Sequence, residues 1–385
     1  MNTNQFEDKV KAVLYATAYG DAIGAVVEKL SYEEIKEQYG RVDSLNNDWY
    51  KSNWAGINKK RGRGIVTDDT LMTIALMNIY NDQTRHLDAW DMADGMVKEI
   101  AFKKTYIPEF GREDCIIERL FYPEKWIFMR HTLANCDPRE GGIGNMINCG
   151  AAMYIAPVGI VNACNPQAAY NEAINFASGH QSSYGLEAAG VLAACVAKAF
   201  EPGTTIDDVV DTAIRLAKDG TKMAIQEICE TAKCLINVRD DKDLVVKKFQ
   251  AVIGKYSPMG DDVNRKVEKV GVPSNHYTSS RIFSIEELPM ALGYSVLNNG
   301  DFKNSIIDGI NSGRDTDSIG VMIGTILGAL RGMNIFNKEE INILNNANKI
   351  DFTGISNRFA ATALDMIMED QKQMEMSIQN LKKLL

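Results

Sequence analysis

Two short stretches concentrate the chemistry of this chain. Thr67-Asp68-Asp69-Thr70 and Asp315-Thr316-Asp317-Ser318 each set two carboxylates among hydroxyls. Each runs straight into an apolar helical pattern, through Leu71, Ile74, Ala75 and Ile79 after the first and Val321, Ile323, Ile326 and Leu327 after the second. Asp and Thr at a helix start accept from the unpaired N–H groups of the first turn, so one such cluster reads as a cap. Two near-copies, with Asp68 and Asp315 standing 247 positions apart, call for a better account than two independent caps on solvated helix ends. If the two helix starts meet, four carboxylates share a small volume, which requires protonation or neutralising cations. A set of carboxylates and hydroxyls with no His or Cys nearby suits the hard ions Mg²⁺, Mn²⁺ or Ca²⁺ rather than zinc.

Helices must position these groups. Residues 6–28 read as a helix with Phe6, Val10, Val13, Leu14 and Thr17 on one face, ending in small residues with Gly20 and Gly24 four apart. Small residues let another backbone or a ligand come close. Residues 71–80, 87–102, 168–177, 186–200, 286–297 and 302–310 read as helices, and residues 371–385 as a final amphipathic one with an Ile378, Leu381, Leu384/Leu385 edge. No convincing strand alternation and no fixed-period repeat is present. The expected fold is all-α, a single compact orthogonal helical domain over residues 1–385 with a metal site at helix N-termini. Residues 30–66 read as an irregular loop holding Trp49 and Trp54, either a pocket wall or rings tucked onto the body. Its tract Lys59-Lys60-Arg61-Gly62-Arg63-Gly64 reads as a solvated face, with a phosphate site as the alternative because the tract leads into Thr67. Residues 257–284 read as a second loop, with Asp261-Asp262 in a solvated turn.

Composition sets the bounds. The 42 basic and 51 acidic residues leave a net charge of −9, which argues against a nucleic-acid groove. Seven cysteines without CxxC spacing are the usage of a reducing cytosol. With no export signal at the start and no apolar run able to span a bilayer, the expectation is a soluble cytoplasmic protein without a membrane partner.

Taken in order, five blocks resemble the ADP-ribosylglycohydrolase family, all-helical enzymes that include the dinitrogenase reductase activating glycohydrolase. They are Gly20-Asp21-Ala22-Ile23-Gly24 with Glu28, then Thr67–Thr70, then Gly150-Ala151-Ala152-Met153 with Ala156-Pro157, then Ser178-Gly179-His180, and last Gly313–Ser318. The resemblance implies two Mg²⁺ ions, or Mn²⁺ or Ca²⁺ in their place, held by Thr67, Asp68, Asp69, Asp315, Asp317 and Ser318. It implies hydrolysis at the anomeric carbon of a ribosyl group, with Glu28, Asp68 and Asp315 as the catalytic residues. Glu28 would be a further ligand or a gate; on its own it reads as a solvated residue at a helix end. Asn148, Cys149, Gly150, His180 and Arg314 are the implied substrate contacts, although a His in a Ser/Gly turn also serves as a helix cap.

The chain departs from the family pattern at three places. Cys149 precedes Gly150 where Asn is usual, Tyr154 stands where Arg is common, and Arg314 replaces a Gly. The Arg314 guanidinium is suited to gripping a phosphate, or to pairing with a local carboxylate. The expected substrate is an ADP-ribosylated protein or small molecule. The alternatives are another N-ribosyl compound, such as a nucleoside or nicotinamide derivative, and a non-catalytic crystallin-like member.

Overall fold

The computed structural model describes residues 3–120, 122–145, 149–256 and 284–385, and over them the chain is all-α, as expected. Its helices are α1 (Thr3–Gly24), α2 (Tyr32–Tyr39), α3 (Asp68–Gln83), α4 (Ala89–Asp91), α5 (Tyr122–Leu133), α6 (Ala156–Val161), α7 (Pro166–Ala177) and α8 (Ser183–Ala199). They continue as α9 (Ile206–Leu216), α10 (Asp219–Leu235), α11 (Lys242–Ile253), α12 (Ser284–Leu297), α13 (Phe302–Ile310), α14 (Thr316–Arg331), α15 (Lys338–Asn348) and α16 (Phe352–Leu384). Among the described residues no helix is long and apolar enough to cross a membrane.

The centre is the pair α1 and α14. Every residue of α14 from Thr316 to Ala329 is buried, the mark of a helix surrounded on all sides. Small residues repeat every four positions on both helices, and the two rows oppose each other. A Cβ added at Gly20 would overlap the Gly320 carbonyl, one at Gly24 the Thr316 carbonyl, one at Gly324 the Ala16 carbonyl and one at Gly328 the Ala12 carbonyl. The helices therefore nest backbone to backbone and antiparallel, a closeness that larger residues would forbid. The Thr316 hydroxyl, donating to Gly24 O at 2.7 Å, pins the start of α14 beside the end of α1. Helices α3 and α16 pack on α1, while α8, α12 and α13 enclose α14.

Three expectations need correction. The chain carries a two-stranded antiparallel sheet, β1 (Lys104–Ile107) with β2 (Arg112–Cys115), pairing Lys104 with Cys115 and Ile107 with Arg112. Strands of four residues are too short for their alternation to stand out from the sequence. Residues 87–102 do not form a regular α-helix: α4 is one turn, followed by the wider π-turns Met92–Met96 and Lys98–Phe102. The first helix ends at Gly24, so Glu28 lies in the turn beyond it. Trp49 is buried and Trp54 half exposed, so the loop reading divides between them. Residues 257–283, with Asp261-Asp262, lie outside the described residues.

Candidate metal and active site

The two acidic motifs meet. Ser318 Oγ donates to Asp69 Oδ1 at 3.2 Å, and the Cys149 thiol lies 3.2 Å from Ser318 Oγ and 3.3 Å from Asp315 Oδ2. Around them is a cavity of about 190 Å³, whose lining includes Glu28, Asp68, Asp69, Cys149, Gly150, Asp315, Asp317 and Ser318. Lys29, Lys59, Arg61 and Arg119 line it as well. One ligand atom from each of Glu28, Asp315 and Asp317 lies within 4.8 Å of the others, and so does one from each of Cys149, Glu287 and Asp315.

Capping accounts for little of the motifs, although Asp317 Oδ1 accepts from the first-turn N–H of Ser318 at 3.2 Å. Thr67 is the N-cap of α3 and Asp315 that of α14, yet neither side chain makes a cap hydrogen bond. At α3 the capping is done by a residue from another helix. Asp21 Oδ2 accepts from the Thr67 N–H at 2.8 Å, the Thr70 N–H at 3.2 Å and the Thr70 hydroxyl at 2.5 Å. Asp21 therefore locks α3 onto α1 and leaves the motif's own oxygens for other use. Thr67 Oγ1 and Asp21 Oδ1 are both buried, and neither is satisfied by a well-formed hydrogen bond.

The electrostatics point the same way. Burial, followed by the neighbouring charge of Asp317, holds Asp69 and Asp315 well above the ordinary carboxylate range. Asp21 is pushed up to about 7 by burial and then by Asp317, and Asp317 up to about 6 by burial and then by Glu28. Such carboxyls hold protons because burial, and then the neighbouring negative charge, disfavours ionisation, and a divalent cation would offset both. The donor set, carboxylates with the Thr67 and Ser318 hydroxyls, fits a hard divalent ion. Cys149 is an exception, and burial, then Asp315, raises its thiol well above the usual range, so it stands there as a neutral S–H.

Glu28 behaves differently. Burial raises it, but Lys29 and Arg61 together outweigh that and hold it well below the usual range. Arg61 donates to Glu28 Oε2, and Arg119 lies 2.5 Å from Asp68 Oδ1. Behind both arginines is Glu109, fully buried, which accepts from Arg61 Nε at 2.7 Å through one oxygen and from Arg119 Nε through the other. One carboxylate thus aims two guanidinium groups at two acids of the cavity. Arg61 also lies over the Trp49 ring, 5.5 Å from its centroid. The basic tract is therefore not a solvated face throughout: Arg61 turns inward while Lys60 stays exposed.

Two expected substrate contacts do not line this cavity. His180 is fully buried, its ring stacked on Tyr154 at 5.5 Å with Nδ1 2.6 Å from the Tyr154 hydroxyl, and burial pushes it down to about 3. Tyr154, the residue that departs from the family pattern, is thus the partner of the family's histidine. Arg314 donates from Nε to Glu286 Oε2 at 2.7 Å and from a terminal nitrogen to Oε1 at 3.0 Å. Of the two roles suited to Arg314, carboxylate pairing is the one its geometry shows. Its backbone, at φ 73°, bonds to Leu30 O and accepts from the Lys29 N–H, tying the motif to the turn that carries Glu28. Asn148 lies outside the described residues. The sequence reading missed Asp21, Glu109, Arg61 and Arg119 as site residues. Asp21 was visible inside the glycine-rich block and Arg61 in the basic tract, but Glu109 and Arg119 carry no local signal.

Comparison with known proteins agrees with this architecture. The family model described as ADP-ribosylglycohydrolase matches residues 2–371. An uncharacterised protein of Archaeoglobus fulgidus is 27% identical over 326 residues, 84% of this chain and 88% of that one. The uncharacterised protein YegU of Escherichia coli K12 is 23% identical over 359 residues, 93% of this chain and 96% of that one. A solved structure titled "ADP-ribosylglycohydrolase-related protein complex" superposes with a TM-score of 0.60 at 16% identity, covering 94% of this chain and 99% of that one, and so shares its fold. The chain belongs to the ADP-ribosylglycohydrolase family.

Proposed function

We propose that this protein is a divalent-cation-dependent hydrolase that cleaves the glycosidic bond at the ribose anomeric carbon of an ADP-ribosylated protein or small molecule. Family membership supports a glycohydrolase. The observation that carries the metal dependence is the meeting of Thr67–Asp69 and Asp315–Ser318 at one cavity, with the N-cap side chains of Thr67 and Asp315 unspent on capping. Asp68, Asp69, Asp315 and Asp317, with the Thr67 and Ser318 hydroxyls, would hold the cations. When bound, Mg²⁺ or Mn²⁺ would orient ribose hydroxyls and lower the pKa of water.

The chain's own groups supply the rest. Glu28 stays ionised beside the cavity, held by Lys29 and Arg61, where it can accept a proton from water or face the positive charge that develops on the sugar. Arg61 and Arg119 keep Glu28 and Asp68 oriented before cations arrive, and Glu109 fixes both arginines. Direct attack by water is the simpler route, because the Cys149 thiol is protonated, the four Asp carboxylates would be taken up by the cations, and Glu28 is held by Lys29 and Arg61.

A second reading keeps the same centre but takes another N-ribosyl compound, and Cys149 at the cavity wall in place of the usual Asn is what favours it. One screen separates the two: ADP-ribosyl-arginine, ADP-ribosyl-serine, NAD and nucleosides, each with Mg²⁺, Mn²⁺ or EDTA. Release of ADP-ribose that EDTA abolishes supports the first reading. Cleavage of nucleosides or NAD alone selects the second, and no cleavage of any substrate leaves a non-catalytic member.

A further inference from the structure

Four basic side chains line the cavity, and three of them are already bound to acids. Lys29 Nζ lies 3.6 Å from Glu28, Arg61 is shared by Glu28 and Glu109, and Arg119 by Asp68 and Glu109. Lys59 is the exception, since among the described residues no carboxylate pairs with it. Its Nζ donates one long hydrogen bond, to Arg119 O at 3.5 Å, and lies over the Phe110 ring, 5.8 Å from the centroid. An ammonium has more N–H donors than that contact can use.

Glu109 fixes the tract that carries Lys59. The Lys60 N–H donates to Glu109 O at 2.8 Å, and Arg61, next along, donates to the Glu109 carboxylate. Lys59 is half-buried, and burial, then the positive charge of Arg119, lowers its pKa. Glu109 and Asp68 oppose that lowering, but each is already bonded to a guanidinium. An anion entering the cavity would offset both the burial and the crowding of positive charge. The anion that a ribosyl substrate carries is phosphate, which a lysine binds as a point charge. Arg314, the other base suited to a phosphate, is bonded to Glu286 instead.

We propose that Lys59 determines specificity by binding a phosphate carried on the substrate's ribose, so that ADP-ribosyl or phosphoribosyl compounds are chosen over unphosphorylated ribosides. The assignment rests on the ribosyl-hydrolase reading of this cavity and selects the substrate class within it.

Calorimetric titration of the Mn²⁺-loaded full chain with ADP-ribose, ribose 5-phosphate and adenosine tests it, beside Mn²⁺ titration of metal-stripped protein. The wild type is expected to bind the phosphorylated ligands at least about tenfold more tightly than adenosine. Lys59→Met is expected to weaken ADP-ribose at least about tenfold and leave adenosine, Mn²⁺ affinity and circular dichroism unchanged. Lys59→Arg, which keeps the charge, is expected to lose less. Lys60→Met, which removes an exposed charge one residue away, is expected to bind as the wild type does. Tight binding of ribose 5-phosphate places the contact at the phosphate on the ribose, and tight binding of ADP-ribose alone places it at the diphosphate. Equal ADP-ribose binding by wild type and Lys59→Met overturns the proposal, as do equal losses in Lys59→Met and Lys60→Met. A parallel loss of Mn²⁺ affinity in Lys59→Met marks a structural role and overturns it too. A wild type that binds Mn²⁺ but holds phosphorylated ligands no more tightly than adenosine overturns the proposal alone and leaves the hydrolase reading standing. A wild type that binds no Mn²⁺ overturns that reading and the proposal with it.

Discussion

The hydroxyl of Ser318 reaches Oδ1 of Asp69 at 3.2 Å, joining two helix starts 249 positions apart. The contact depends on α1, which serves both helices. Its Asp21 caps α3, and its Gly20 and Gly24 admit the backbone of α14. The site is therefore built by three helix ends rather than by either acidic motif.

Gly20→Ala tests that closeness. The added Cβ would meet backbone atoms of Gly320 and Val321, which cannot rotate away. Unfolding in urea is expected to show a loss of about 2 kcal/mol or more. Wild-type stability would mean that α1 and α14 can separate without consequence.

The crowded carboxyls predict an unusual pH response in protein stripped of metal. Asp21, at about 7 when folded, starts from an ordinary value near 3.8, and Asp317, at about 6, does likewise. Between those limits the folded state binds more protons than the unfolded one, so stability falls as pH rises. It is fully present below about pH 4 and lost through about pH 7. In EDTA the melting temperature is expected to fall between pH 5 and pH 7.5 by these groups, and Asp21→Asn is expected to flatten the slope. A melting temperature rising over the same interval, in wild type and variant alike, would refute it.

Glu28→Gln should lower turnover by at least about a hundredfold while leaving the protein folded, since Glu28 lies in a turn at the cavity edge. Steady-state rates on whichever ribosyl substrate the screen identifies, with circular dichroism beside them, decide it. Activity equal to wild type would return Glu28 to the role of a surface ion-pair partner.

Glu109→Gln probes the support behind the arginines. Removing one charge leaves Arg61 and Arg119 buried beside each other with less compensation, which costs about 3 kcal/mol in comparable buried pairs. Denaturant unfolding checks the loss. A change under about 0.5 kcal/mol, typical of surface substitutions, would mean that Glu109 does not hold the pair.

The helical class and the meeting of the acidic motifs were legible because both leave local marks: apolar periodicity for the helices, paired carboxylates at helix starts for the site. What escaped was non-local. Glu109 and Arg119 are single charged residues in unremarkable stretches, and only the fold around β1 and β2 brings them to Arg61 and Asp68. Arg314 could be read two ways because its partner, Glu286, lies 28 positions upstream on a different helix. His180 sat in a Ser/Gly turn that suggested a substrate contact or a helix cap, yet Phe128 and Tyr154 pack against its ring.

The central claim is that the two acidic motifs form one cation-binding centre. Calorimetric titration of metal-stripped protein with Mn²⁺, repeated on Asp68→Asn and on Asp315→Asn, tests it most directly. Saturable binding by the wild type, weakened at least about tenfold by either single substitution, is the predicted result, because each variant removes one charge from the same site. Binding that is absent from the wild type, or unchanged in both variants, would contradict the account.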